Sequence, residues 1–177
     1  MTQQYSIDTL LAQAGNRSDE RTGAVSTPIY LSTAYGHHGI GESTGFDYTR
    51  TKNPTRSVLE DTVAKLENGD RGFAFASGMA AIQVLMNLFK APDEWILSSD
   101  VYGGTYRLLD FAYKNNNSVK PVYVNTASLA EIEAAITQNT KAIFIETPSN
   151  PLMEECDVVE IAKLAKKHNL LMIVDNT

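Results

Sequence analysis

Short apolar runs alternate with helix-period segments along most of the chain. The runs are GFAFA (72–76), WILSS (95–99), VKPVYV (119–124), AIFIE (142–146) and LLMIVD (170–175). Between them, apolar residues recur at helical spacing over 79–89, 106–114, 129–136 and 158–167. Strands covered on both faces read as continuous rather than alternating apolar runs. Five such runs separated by helices therefore predict a mainly parallel sheet with helices on both sides, a three-layer αβα architecture. A further helix is predicted from Pro54. Asn53 is a natural cap, proline fits the first turn, Leu59, Val63 and Leu66 share a face, and Gly69 ends it. Before it the pattern is weak, apart from an amphipathic stretch over 7–14. Residues 1–52 are accordingly expected to form an arm, and residues 53–177 the first part of a larger domain.

Composition adds limits. The 177 residues are 43% hydrophobic, enough for one packed domain and an arm. Fifteen Lys+Arg against 21 Asp+Glu give a net charge of -6, which repels a phosphate backbone at long range, so nucleic acid is not an expected partner. The N-terminus lacks a basic leader followed by an apolar segment, and no apolar run approaches bilayer length. The expected location is the cytoplasm. Cys156 is the single cysteine, so no intrachain disulfide is possible, and neither CxxC nor HExxH spacing is present to hold a metal. A structural thiol is expected there.

In open α/β sheets, ligands bind beyond the carboxyl ends of the strands. Four polar segments follow the predicted strands: Ser77-Gly78-Met79, Asp100 with Tyr102-Gly103-Gly104, Thr147-Pro148-Ser149-Asn150-Pro151, and Asp175-Asn176. Singly these are a helix cap, ordinary turns and an aspartate at a strand end. Together they offer an anion site, an aromatic face, a side-chain amide and a carboxylate, a set suited to a charged, planar, phosphorylated heteroaromatic ligand. A nucleotide-binding Rossmann-like reading ranks far behind, since there is neither GxGxxG after the first strand nor GxxxxGK[ST].

The same segments, as Y-T-R-x-x-N-P-T (48–55), A-S-G-M-A-A (76–81), D-x-Y-G-G-T-Y-R (100–107), E-T-P-S-N-P (146–151) and V-D-N-T (174–177), resemble the Cys/Met-metabolism pyridoxal-phosphate enzymes. This is the cystathionine γ-synthase and γ-lyase family, and the resemblance covers nearly the whole chain. It implies the fold-type I transferase architecture and pyridoxal 5'-phosphate as cofactor. It further implies that Ser77 and the N–H groups of Gly78 and Met79 receive the phosphate at a helix N-terminus, where the dipole contributes roughly 0.3–1 kcal/mol. Tyr48 and Arg50 are implied to reach the phosphate of a neighbouring subunit, so a homodimer or homotetramer is expected. Tyr102 is implied to stack on the ring, and Asn150 to bond the ring hydroxyl or the substrate side of the cofactor. Asp175 is implied to pair with the pyridine nitrogen. An ion pair at about 4 Å with an effective dielectric near 20 gains roughly 4 kcal/mol before desolvation. Tyr102 and Asp175 are thus the expected catalytic residues; Glu146 is assigned only a supporting part.

The resemblance places the cofactor lysine in a Ser-x-Thr-Lys segment beyond Thr177, together with a second domain. The chain is therefore expected to be a fragment or truncated form, inactive alone, and its lysines read as arm or surface residues. The expected activity of the parent protein is transsulfuration in methionine and cysteine metabolism on a small amino-acid substrate, by γ-replacement on O-acyl-homoserine with cysteine or sulfide. The stretch from Tyr30 to Tyr48 is most similar to γ-synthases that also act as O-acetylhomoserine thiol-lyases. Methionine γ-lyases are less similar, usually carrying cysteine where this chain has Gly104. Cystathionine β- or γ-lyase is the close alternative. A remnant without catalytic lysine that only binds a partner or ligand is the non-enzyme alternative.

Overall fold

The computed structural model describes residues 5–17, 19–116 and 118–177. The chain divides into two compact units, one ending at Phe75 and the other beginning at Ala76. The division lies beyond the expected arm boundary at 52/53, because helical residues after that boundary are tied into the arm.

Two helices shape the first unit, α1 (Ile7–Ala12) and α2 (Pro54–Leu66). Ser6 caps α1, its hydroxyl accepting the Thr9 N–H. Asn53 caps α2, accepting from the N–H groups of Thr55 and Arg56. The Asn53 amide nitrogen also donates to Thr49 Oγ1 at 2.6 Å and to the Tyr30 carbonyl at 3.1 Å. Thr55 Oγ1 in turn accepts the Tyr30 N–H at 2.9 Å. One capping side chain thus organises both the helix and the irregular segment before it. Gly15, at φ +71°, stands where a Cβ would meet Thr27 Oγ1 at 2.6 Å, so only glycine fits. The apolar face predicted for α2 forms, but Leu59 is 55% exposed and Val63 is also exposed.

In the second unit, four parallel strands run β1 (Glu94–Ser98), β2 (Lys120–Val124), β3 (Thr140–Glu146) and β4 (Leu171–Asp175), ordered β2-β1-β3-β4. Helices α3 (Gly78–Met86) and α4 (Gly103–Asn116) supply one core, with Trp95, Leu97 and Phe144 turned toward Met86 and Leu109. Helices α5 (Leu129–Ala134) and α6 (Val158–Lys167) supply the other, with Ile96, Ile143 and Ile145 toward Ile132 and Ile161. The alternation along β1 and β3 feeds both layers, which is why their sequences look uninterruptedly apolar. Trp95 stacks on Phe144 at 6.0 Å, and Phe89 meets its edge at 5.0 Å. The expected three-layer α/β arrangement is therefore present. No helix among the described residues is long and apolar enough to cross a membrane.

Two expectations need correction. GFAFA does not form a fifth strand: residues 71–75 are irregular, and Phe73 is 70% exposed. A strand exists only where a neighbour takes its backbone groups; here the Ala74 N–H donates to the Glu60 carboxylate at 3.0 Å. Gly103-Gly104, read as a turn, instead opens α4, three residues before the predicted start. The Tyr102 carbonyl accepts the Tyr106 N–H and begins the helical ladder.

At the amino ends of the strands, the buried Glu94 ties three elements together. It accepts from Lys120 Nζ at 2.8 Å and from the Thr137 hydroxyl at 2.6 Å. The Lys120 hydrogen bond, then that of Thr137, holds its carboxyl below the ordinary value of 4.5, against the opposing effect of burial. A group lowered on folding contributes stability that is complete above its unfolded pKa and lost as pH falls through the folded one. Glu94→Gln in the intact protein should lower the Tm by roughly 4–8 °C at pH 7. Thermal melts across pH should show that gap shrinking progressively below pH 4.5; a gap that widens on acidification would contradict the assignment.

Candidate functional site

At the opposite, carboxyl ends of the strands lies a cavity of about 410 Å3, within the range of roughly 300–1,000 Å3 common for small-molecule sites. It is lined by Ser77, Gly78, Met79, Tyr102, Asn150 and Asp175, together with Ile82, Glu146, Pro148 and Thr177. Six of the eight expected site residues are therefore gathered in one place. A larger hollow of about 810 Å3 in the first unit runs between α1 and α2, past Leu10, Gln13 and Val58. It has no helix N-terminus opening on unpaired N–H groups beside strand-end carboxylates, so chemistry favours the smaller cavity.

Each wall has a local cause. Ser77 caps α3, its hydroxyl accepting the Ala80 N–H and its carbonyl the Ala81 N–H. The N–H groups of Gly78 and Met79 are left with no acceptor among the described residues, at the positive end of the helix dipole. A Cβ at Gly78 would meet nothing within 4 Å, so space is open directly over those groups. Tyr102 presents a ring that is 52% exposed. Beneath it, Gly104 lets the ring sit close: a Cβ there would stand 2.5 Å from Tyr102 Cε1 and 3.1 Å from Met79 Sδ, so any side chain must displace the ring.

The carboxylates follow from strand register. Glu146 and Asp175 are paired across β3 and β4, so their side chains share the sheet face that carries Phe144 and Ile173. Glu146, 8% exposed, accepts the Tyr102 N–H at 2.7 Å through Oε2 and the Asn150 N–H at 3.2 Å through Oε1. Asp175 Oδ1 accepts from the N–H and hydroxyl of Thr177, at 3.2 and 2.7 Å. Asp100 accepts the Ser149 hydroxyl at 2.6 Å and the Leu152 N–H at 3.1 Å, pinning the segment that carries Asn150. Among the described residues no cation pairs with Glu146, Asp100 or Asp175, and none of the lining residues is a lysine.

Tyr48 and Arg50 belong to the first unit. There Arg50 Nη2 donates to the Tyr48 hydroxyl at 2.8 Å, with the guanidinium 5.2 Å from the ring centroid; both side chains are exposed. Cys156 is half-buried beside the second core, a packed thiol, and its N–H donates to Thr147 Oγ1. Glu146 and Asp100 also stand at this edge, where the sequence marks them only weakly. The one signal available for Glu146 is a carboxylate ending the apolar run 142–145. No cluster of three or more His, Cys, Asp or Glu side chains able to hold a metal occurs among the described residues.

Helix-end N–H groups without an acceptor among the described residues, two strand-end carboxylates and an aromatic ring line one cavity of an α/β unit, a set suited to a small ligand with an anionic group and a protonatable ring. The chain belongs to the Cys/Met metabolism PLP-dependent enzyme family, whose model matches residues 8–177. It is 89% identical over its whole length to the cystathionine gamma-synthase of Haemophilus influenzae, covering 48% of that protein. Over 97% of its length it is 61% identical to a cystathionine gamma-synthase/O-acetylhomoserine (thiol)-lyase of Bacillus subtilis, covering 46% of it. A crystal structure of cystathionine gamma-lyase from Lactobacillus plantarum complexed with L-serine superposes with a TM-score of 0.92 at 47% identity, covering 98% of this chain and 45% of that one. The chain spans about half the length of the curated relatives it matches.

The lining residues fit pyridoxal phosphate: free N–H groups and open space for a phosphate, a ring face, and a carboxylate at a strand end. Gly104→Ala tests the ring's seat. Alanine suits the first turn of α4, and the exposed Tyr102 ring can swing aside, so Tm should hold or rise. Pyridoxal-phosphate affinity should nonetheless fall about tenfold, the loss of roughly 1.4 kcal/mol expected when an aromatic stacking contact is spoiled. Fluorescence titration would measure it, and unchanged affinity would show that the ring does not contact the cofactor.

Proposed function

We propose that the protein carrying this chain is a cytoplasmic, pyridoxal-phosphate-dependent transsulfuration enzyme. Its reaction is γ-replacement, in which cysteine or sulfide displaces the acyl group of an O-acyl-homoserine. The 89% identity to a cystathionine gamma-synthase over all 177 residues is the observation that carries this reading. Residues 53–177 then form the first part of the cofactor domain, and residues 1–52 an arm serving a neighbouring subunit.

When bound, pyridoxal phosphate supplies an electron sink for carbanionic chemistry on an amino acid. The chain's own residues would bind and tune it. The N–H groups of Gly78 and Met79, with the Ser77 hydroxyl, take the phosphate. Tyr102 lies against the ring face, Asn150 bonds the ring hydroxyl, and Asp175 holds a proton on the ring nitrogen. Tyr48 and Arg50 complete the phosphate site of a neighbouring subunit, Arg50 offering a planar fork that lysine lacks. The nine lysines of the chain supply no group lining the cavity, which supports a cofactor lysine elsewhere in the protein. Cystathionine cleavage is the second reading, supported by the 47% identity to the γ-lyase of Lactobacillus plantarum.

Steady-state assays of the intact protein should give a kcat/KM for O-acetylhomoserine plus cysteine at least about tenfold above that for cystathionine alone, a margin of roughly 1.4 kcal/mol in transition-state binding. The reverse order would replace γ-synthase with lyase and leave the family unchanged. Shared sites are tested by mixing Arg50→Ala protein with Asp175→Asn protein, each expected below about 1% of parental turnover. In a two-fold dimer that mixes freely, half the molecules are hybrids with one intact site of two, so about a quarter of the activity should return. Hybrids that form without regaining activity would show that Arg50 serves its own subunit.

A further inference from the structure

Glu146 stands where a cavity-lining carboxylate is least expected to be idle. It is almost wholly buried, faces no cation among the described residues, and sits one strand away from Asp175. Its hydrogen bonds are not to side chains of a structural network but to two backbone N–H groups. One belongs to Tyr102, which follows β1, and the other to Asn150, which follows β3. The two contacts are separated by 44 and 4 residues in sequence, so a single side chain joins the ends of two non-consecutive segments. Both tethered residues carry side chains of the cavity wall.

We infer that Glu146 is the positioning residue of this site, a buried anion that sets Tyr102 and Asn150 relative to Asp175 by holding their backbone N–H groups. The inference rests on the reading of the cavity as a pyridoxal-phosphate site. Its geometry is over-determined from below: the Glu146 N–H donates to Ser98 Oγ at 3.2 Å, and Ser98 is itself hydrogen-bonded to Thr126 at 2.6 Å. The backbone from which the carboxylate reaches out cannot shift without breaking that ladder. A charged acceptor holding a backbone N–H is about twice as strong as a neutral one, which suits a residue that must fix direction at a strand end. Carboxylate symmetry also matters, because both oxygens accept. A glutamine of the same shape offers one acceptor and one donor, so Glu146→Gln must turn an N–H against an N–H at Tyr102 or at Asn150.

Two measurements on the intact protein test this. In the unaltered apoprotein, residue-resolved hydrogen exchange should show the Tyr102 amide protected at least about a hundredfold over an unstructured chain. Exchange within threefold of the unstructured rate overturns the inference without any variant. For the second, pyridoxal-phosphate Kd is measured for the parent, Glu146→Gln, Tyr102→Ala and the double variant. The expected pattern is about a tenfold rise for Glu146→Gln alone, and threefold or less when it is added to Tyr102→Ala, because residues acting through one another are not additive. A Kd within twofold of the parent in Glu146→Gln, or a rise above threefold on the Tyr102→Ala background, overturns it, and a lowered Tm with unchanged Kd would mark Glu146 as structural only. If the parent itself fails to bind pyridoxal phosphate, the reading of the cavity falls and this inference with it. Parental binding with an unaffected variant removes the inference alone.

Discussion

A strand covered on both faces can place a polar side chain only at its ends, and β3 obeys that constraint throughout. Residues 142–145 are fully buried, alternating between the two cores, while Thr140 and Lys141 at one end and Glu146 at the other carry its polar groups. Because all four strands run parallel, what is polar at one end of β3 meets what is polar at the same end of its neighbours. The ends therefore become two distinct chemical surfaces separated by an apolar slab.

Those surfaces use the same chemical group in opposite ways. At the amino ends, Glu94 meets Lys120 and the Thr137 hydroxyl, an arrangement in which the charge is matched and the loops are closed over it. At the carboxyl ends, Glu146, Asp100 and Asp175 accept backbone N–H and hydroxyl groups, and no cation pairs with them among the described residues. A carboxylate matched by a cation stabilises the fold; carboxylates that accept only N–H and hydroxyl groups beside open space leave acceptors for a ligand. Carboxylates at the ends of β3 and β4 and the N-terminus of α3 thus line one cavity of about 410 Å3. A ligand bearing a phosphate at one end and a protonated ring nitrogen at the other matches it.

How much of this was legible depends on whether the cause is local. Caps, helical spacing and apolar runs are local, so α2, α3, α6 and the four strands stand close to where periodicity put them, as do the cavity residues at the strand ends. GFAFA failed because a strand is a property of a pair, and nothing in a single segment reveals whether its neighbour exists. Gly103-Gly104 failed because turn chemistry and a helix start share glycine, and Tyr102, whose carbonyl begins the ladder, is held by a carboxylate 44 residues away. Leu59 and Val63 have the right spacing for a buried face, yet spacing cannot supply the surface that covers it. Tyr48 and Arg50 were visible only through resemblance, since their own geometry is a cation stacked on a tyrosine. Glu146 and Asp100 act through backbone groups of distant loops, a role that leaves no periodic trace.

Magnitudes explain why the site needs two such anchors. Ordering a backbone residue costs roughly 1–2 kcal/mol, so fixing the six residues of 147–152 opposes folding by an amount no single contact can match. A hydrogen bond to a charged acceptor returns roughly 1.5–3 kcal/mol, and a neutral one about 1. Glu146 holds this segment once, at Asn150, whereas Asp100 holds it twice, at Ser149 and Leu152. The Thr147 N–H adds a bond to the Asp175 carbonyl, and Ser149 exchanges backbone and side-chain bonds with Glu154. Pro148 and Pro151 reduce the freedom that had to be lost. With order secured mainly by Asp100, β4 and the prolines, the one bond from Glu146 is free to determine direction, and the same carboxylate reaches Tyr102. Stability and aim are thereby divided between two acidic side chains on adjacent strand ends, which is why the aromatic face, the amide and the second carboxylate of the cavity share one frame.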